Sequence, residues 1–357
     1  MTKFLSPLCA LFTCVALAAA PAFAEKNNSE KSKAVTKKPA TTITVRNTKK
    51  NTSKQANKTR SNKNNTKVAS KSKKSTDIKQ QAIASARRDV QVSRVNASPI
   101  NLASPGVQSA AVMILNQQTG EVMYERNADN VVPIASITKL MTAMVVLDAK
   151  LPLNELITIT HEDVDNLKNT SSRLAVGTTL TRGEMLLLAL MSSENRAASA
   201  LSHYYPGGRS AFIRKMNEKA LQLGMVNSHF FDSTGLTPQN VATPRDLSLM
   251  VKAAQRYPEI HQFTTSSEYS FVSNLTGNVM AYRNTNPLVK DPDWNIGVSK
   301  TGFINEAGRC IVMQATINNM PVVMVLMDSN GKQTRIGDAQ RVRRWIEETR
   351  SNTYRAG

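Results

Sequence analysis

The stretch Ser136-Ile137-Thr138-Lys139-Leu140-Met141-Thr142-Ala143-Met144-Val145-Val146-Leu147 decides the fold. Its apolar residues fall at Ile137, Leu140, Met141, Met144, Val145 and Leu147, the spacing of a buried amphipathic helix. The polar exceptions Ser136 and Lys139 stand three apart and share one face. An unpaired lysine is costly to bury, so Lys139 needs a partner or a task. A serine hydroxyl is a weak nucleophile that needs a base within hydrogen-bond reach. A lysine kept neutral by a partly dry site and a nearby cation can be that base. The pattern alone is weak: Ser70 and Lys73 repeat it in a polar stretch where it means nothing.

Two further motifs give it weight. Ser193-Glu194-Asn195 ends a second predicted helix, running from Thr181 or Arg182 to Leu190 and apolar nearly all round. The Ser193 hydroxyl can bridge Lys139 and a leaving amine, and the Asn195 amide can hold Lys139 and a substrate carbonyl. Taken alone, the motif is a polar cluster that ends a helix. Lys300-Thr301-Gly302 lies on a predicted strand. Lys300 would add positive potential that favours a neutral Lys139, Thr301 can bond a substrate carboxylate, and Gly302 lets a substrate backbone approach the strand edge. Alone it is an exposed strand lysine beside a bulge. The three motifs in this order are the equipment of a serine acyl-transfer site that works without histidine.

The elements around them predict an α+β domain. Ser109–Asn116 and Glu121–Arg126 read as a hairpin about Gly120. Helices are expected over Ser210–Leu223, closed by Gly224, and over Arg245–Gln255, stopped ahead of Pro258. Gly297–Phe303, Arg309–Ile317 and Pro321–Asp328 read as an antiparallel meander, and Arg335–Thr349 as a last helix. If the two ends share one sheet, it is a five-stranded antiparallel sheet flanked by helices, with a helical subdomain on one side.

Residues 1–24 read as a signal peptide: Lys3, then an apolar run from Leu8 to Ala20, then Ala22-Phe23-Ala24 as cleavage site. The net charge of +20 is uneven, because residues 25–94 hold 20 Lys+Arg against 4 Asp+Glu. Residues 25–104 carry no aromatic residue and are expected to be a disordered Lys/Asn/Ser/Thr-rich linker. It is either a solvated spacer or a contact with anionic surfaces; nucleic acid is not an expected partner, since export separates the chain from it and no base-stacking ring is present. Residues 105–352 are expected to be one catalytic domain and 353–357 a short tail. No later run is long enough to cross a membrane. Of three cysteines, Cys9 and Cys14 leave with the signal, and Cys310, in an apolar run, reads as a buried core thiol. The histidines His161, His203, His229 and His261 are scattered, so no metal, cofactor or Ser-His-Asp triad is expected.

The motifs resemble those of the serine penicillin-recognising enzymes. Pro133–Ala149, Leu186–Ala198, Asp232-Ser233-Thr234-Gly235-Leu236 and Trp294–Gly302 are similar to the low-molecular-mass D,D-peptidases. The likeness runs from about Ser109 to Glu347. Within that group the chain most resembles the D-alanyl-D-alanine endopeptidases of the penicillin-binding protein 7 type. The resemblance implies a penicillin-binding fold, a periplasmic location, cleavage of D-alanyl cross-links in peptidoglycan, and acylation by β-lactams. It implies Ser136 as nucleophile, Lys139 as base, and Ser193 with Asn195 as proton relay. Lys300, Thr301, Gly302 and Phe303 would bind substrate, with an oxyanion hole from the N–H groups of Ser136 and Phe303.

Two departures bear on specificity. Carboxypeptidase relatives carry Asn-Arg-Asn where this chain reads Asn284-Thr285-Asn286, with Arg283 displaced. The alternative of a carboxypeptidase trimming pentapeptides is weakened by that change. Those relatives also add a C-terminal β-domain and an amphipathic helix, which are not expected in a chain ending at Gly357. A class A β-lactamase would need a Glu-x-x-Leu-Asn loop between Asn195 and Lys300, and none is present. A non-catalytic peptidoglycan-binding adaptor is disfavoured by the intact Ser136, Lys139, Asn195 and Lys300.

Overall fold

The computed structural model describes residues 103–356. The signal expected over residues 1–24, and all but the end of the linker expected over 25–104, lie outside the described residues. β1 (Ala111–Asn116) and β2 (Val122–Arg126) form the expected hairpin, with Gly120 at φ +78° in its turn. After β3 (Val132–Pro133), a 3-10 turn over Ala135–Ile137 leads into α1 (Thr138–Asp148). A small ladder of β4 (Leu156–Thr158) and β5 (Thr179–Thr181) precedes α2 (Arg182–Met191), α3 (Asn195–His203) and α4 (Gly208–Gln222). β6 (Val241–Ala242) pairs with β3, and α5 (Pro244–Ala254) and α6 (Pro258–Thr265) come next. A second hairpin, β7 (Glu268–Val272) and β8 (Val279–Arg283), leads to β9 (Asn295–Ile304), β10 (Gly308–Ile317), β11 (Met320–Ser329) and α7 (Thr334–Ala356).

The two ends of this segment do share one sheet. Its order is β2-β1-β11-β10-β9, antiparallel throughout. β10 and β11 are covered on both faces, which is why they read as nearly unbroken apolar runs rather than alternating ones. On one face Ile311, Val322 and Met324 pack with Val342 and Ile346 of α7. On the other, Val312 and Val325 join Met144 of α1, Leu186 of α2 and Leu247 of α5.

Local chemistry sets the helix ends near the motifs. Thr181 caps α2 in a reciprocal box with Glu184. Thr243 caps α5, with Pro244 at its first position. α2 stops at Met191, and Ser193 turns the chain at φ +64° before α3 begins at Asn195.

Several elements differ from expectation. Ser136 stands on the 3-10 turn before α1 rather than in the helix itself. Pro258 opens α6 instead of only barring a longer α5, because proline is tolerated where the first helical N–H has no partner. α3 and the β7–β8 hairpin have no counterpart among the expected elements, and α7 continues to Ala356 through most of the expected tail.

Candidate active site

The chain before Ser136 is held by a close backbone contact. Ala135 has φ +48° and Gly235 has φ +81°. A Cβ on Gly235 would lie 1.9 Å from the Ala135 carbonyl oxygen, so only glycine fits there. The Gly235 loop is organised by the Asp232 carboxylate, which accepts from the N–H groups of Thr234 (2.8 Å), Gly235 (2.5 Å) and Thr237 (3.1 Å). The Asn240 amide also donates to Asp232, at 3.1 Å. So arranged, the loop turns the Thr234 carbonyl toward Lys139.

Lys139 is fully buried. Its Nζ donates to Ser136 Oγ (2.8 Å), Asn195 Oδ1 (2.8 Å) and the Thr234 carbonyl (2.7 Å). Three acceptors match the three protons of an ammonium. Burial nevertheless brings its pKa down to about 7, against the opposing pull of Asp232 and Glu194. Near neutral pH both forms are therefore populated. In the neutral form the amine can turn its lone pair to the Ser136 hydroxyl across the same 2.8 Å.

The other two motifs close around this pair. Ser193 Oγ accepts from Lys300 Nζ at 3.0 Å, so its partner is Lys300 and not Lys139 as the sequence suggested. Lys300 is also buried and donates to its neighbour's carbonyl, Thr301 O, at 2.8 Å. Burial holds its pKa well below the usual lysine value, with Lys139 and then Arg335 adding to the effect. The effect runs one way: Lys139 helps to lower Lys300, whereas at Lys139 burial is the lowering cause and the expected contribution of Lys300 is not among those that shift it. The Asn195 amide donates from Nδ2 to Thr170 Oγ1 at 3.1 Å, which ties the second motif to the loop before β5. Thr301 donates its hydroxyl to Thr285 Oγ1 at 2.7 Å. β9 is an edge strand, and a Cβ on Gly302 would lie 3.1 Å from the Ile134 carbonyl and 3.2 Å from the Ser136 nitrogen.

All three motifs line one open cleft of about 430 Å³ that includes Ser136, Ser193, Asn195, Thr301, Phe303 and Arg335. Gly302 lines it too. Arg335 and Thr170 were not legible as site residues. Arg335 comes from the first turn of α7 and donates to the Gly302 carbonyl (2.7 Å) and the Cys310 carbonyl (3.2 Å). Its buried Nε has no acceptor. Burial, and then the nearby Arg309, lowers its pKa. Cys310 is fully buried, and burial pushes its thiol up to about 12, so it lies in the core as expected. Among the described residues no group of three His, Cys, Asp or Glu side chains can hold a metal, and no helix is long and apolar enough to cross a membrane.

Comparison with known proteins gives the same direction. A family described as D-alanyl-D-alanine carboxypeptidase matches residues 98–331. A D-alanyl-D-alanine endopeptidase of Pseudomonas aeruginosa is 48% identical over 257 residues, covering 71% of this chain and 83% of that protein. Its Escherichia coli counterpart is 47% identical, over 70% of this chain and 81% of that protein. The crystal structure of the Streptomyces K15 DD-transpeptidase superposes with a TM-score of 0.63 at 30% identity, covering 68% of this chain and 98% of that one.

Proposed function

Because the chain belongs to the D-alanyl-D-alanine carboxypeptidase family of serine hydrolases, we propose that it is a D,D-endopeptidase that opens D-alanyl cross-links in peptidoglycan. The observation that carries the chemistry is the buried Lys139 amine 2.8 Å from Ser136 Oγ. The preference for cross-links is supported by the endopeptidase relatives at 47–48% identity, against 25–31% for carboxypeptidase relatives.

In this reading Ser136 Oγ attacks the D-alanyl carbonyl and gives its proton to the neutral Lys139 amine. The N–H groups of Ser136 and Phe303 take the developing oxyanion; a donor of this kind is worth about 3 kcal/mol of barrier in other enzymes. The C–N bond breaks, the leaving amine takes through Ser193 the proton that Lys139 gained from Ser136, and the acyl group stays on Ser136 until water releases it. Asn195 and Lys300 hold the two relay groups, while Thr301 and Gly302 dock the substrate against the edge of β9. A β-lactam enters the same acylation and leaves slowly, so it inhibits. The organisation that goes with this function is a signal over 1–24, a basic linker over 25–104, a catalytic domain over 105–352 and a tail over 353–357. The compartment is the periplasm. The linker attracts the enzyme to anionic wall or lipid surfaces; unchanged sedimentation with sacculi after deletion of residues 25–100 would sink that part.

The test is digestion of purified muropeptides by the mature protein, with Ser136→Ala as control. Cross-linked dimers falling to monomers, while pentapeptides keep their terminal alanine, is the expected result. Loss of alanine from pentapeptides with dimers intact would make it a carboxypeptidase.

A further inference from the structure

We propose that Phe303 and Arg309 form a subsite for the leaving strand of a cross-link, the ring taking a linear methylene chain and the guanidinium a carboxylate beyond it. The proposal rests on the endopeptidase reading and deepens it, because it assigns residues to the leaving side of the scissile bond.

The orientation comes from charge. In a D-alanyl cross-link the carbon bearing the leaving amine also bears a carboxylate. Thr301 and Arg335 both line the cleft, and Arg335 donates to the carbonyl of Gly302, the residue after Thr301, which places a guanidinium beside that part of β9. The leaving residue therefore points that way. Thr301 and Phe303 are two apart on β9 and so face the same side, about 7 Å apart along the strand. A leaving alanine carries only a methyl group and ends short of Phe303. A leaving diamino acid sends a chain of methylenes onward, into a second peptide that ends in a carboxylate.

Phe303 suits such a chain. It is 49% exposed at the cleft rim, in a strand whose neighbouring residues from Ile296 to Ile304 are otherwise buried. Arg309 is its cross-strand partner in the register, and the guanidinium sits 4.4 Å from the ring centroid. That stacking fixes the guanidinium without using its charge on a carboxylate. No ion pair among the described side chains engages Arg309, and the nearest acidic residue in the β9–β10 turn, Glu306, is taken by Lys168. Arg335 lines the cleft, and Arg309, held against the rim residue Phe303, lies close enough to Arg335 to lower its pKa, so a second cation stands just outside the cleft on that side. A second anionic group on the leaving strand is the complement of this arrangement.

The experiment uses the mature protein and a purified cross-linked muropeptide dimer. Turnover of the dimer is divided by the rate of acylation with a fluorescent penicillin, which reports the reacting centre and an intact fold. Arg309→Gln is expected to lower this ratio about tenfold, and through KM rather than kcat. Phe303→Ala is expected to act in the same direction. A synthetic dimer with the terminal carboxylate of its leaving strand amidated should be turned over about tenfold less well by the wild type, with no further loss in Arg309→Gln. An unchanged ratio in both variants, or a full Arg309→Gln effect on the amidated dimer, would overturn the subsite. If the wild type leaves dimers intact but is labelled by penicillin, the endopeptidase reading itself fails and the subsite falls with it.

Discussion

Lys139 Nζ and Ser136 Oγ are 2.8 Å apart, and the amine is buried with a pKa brought down to about 7. The protonated amine can only donate, so it cannot accept the Ser136 proton. Acylation by a fluorescent penicillin is therefore expected to rise about tenfold per pH unit below 7 and to level off above about 8. A rate flat from pH 5 to 9 would exclude Lys139 as the base.

The same pKa is held up from below by carboxylates, Asp232 first and then Glu194. Asp232 also builds the Gly235 loop, so Glu194 is the cleaner probe; its carboxylate accepts from Ser172 Oγ at 2.7 Å. Replacing it with Gln removes an anion that favours the ammonium form of Lys139. The acid limb of the penicillin-acylation profile should move to lower pH in Glu194→Gln, by a fraction of a unit. Movement to higher pH would reverse the sign of the interaction and contradict the assignment.

Much of the site and its scaffold was legible in the sequence for a physical reason. The apolar period after Ser136, the nearly all-apolar α2 and the unbroken runs of β10 and β11 are local patterns that burial imposes on any chain. The pairing of Lys139 with Ser136 came from their spacing of one turn. The features that were not legible depend on contacts between distant segments. Arg335 enters the cleft because α7 packs its first turn beside Gly302 and Cys310, and nothing in its neighbourhood in sequence marks it. Thr170 reaches Asn195 from a loop 25 residues away. The choice of Lys300 rather than Lys139 as partner for Ser193 depends on the positive φ of Ser193, which serine does not announce.

Cys310 offers a check on the core. Its thiol is fully buried, near the Ala307 carbonyl at 3.3 Å, and pushed up to about 12, so almost no thiolate forms at neutral pH. A thiol reagent is expected to label the folded protein only at the rate of unfolding. Cys310→Ser should lower stability by about 1–2 kcal/mol, since a smaller polar group replaces a buried sulfur. Rapid native-state labelling would show that β10 opens locally.

Gly235 carries the most exacting prediction because two effects coincide there. Its φ of +81° disfavours any side chain, and a Cβ would stand 1.9 Å from the Ala135 carbonyl oxygen, a backbone atom that cannot turn aside. Ala135 directly precedes Ser136 and is itself at φ +48°, so relief of the clash must displace the nucleophile. Gly235→Ala is expected to lose about 3 kcal/mol or more in denaturant unfolding and about 100-fold in penicillin acylation, the scale of a 1 Å misplacement. Gly224→Ala separates strain from clash: φ is +77°, but the nearest atom to a new Cβ is the side-chain Leu249 Cδ1 at 3.9 Å. That variant should lose only about 1 kcal/mol and acylate at the wild-type rate. Equal losses in the two variants would mean that the Ala135 contact does not position Ser136.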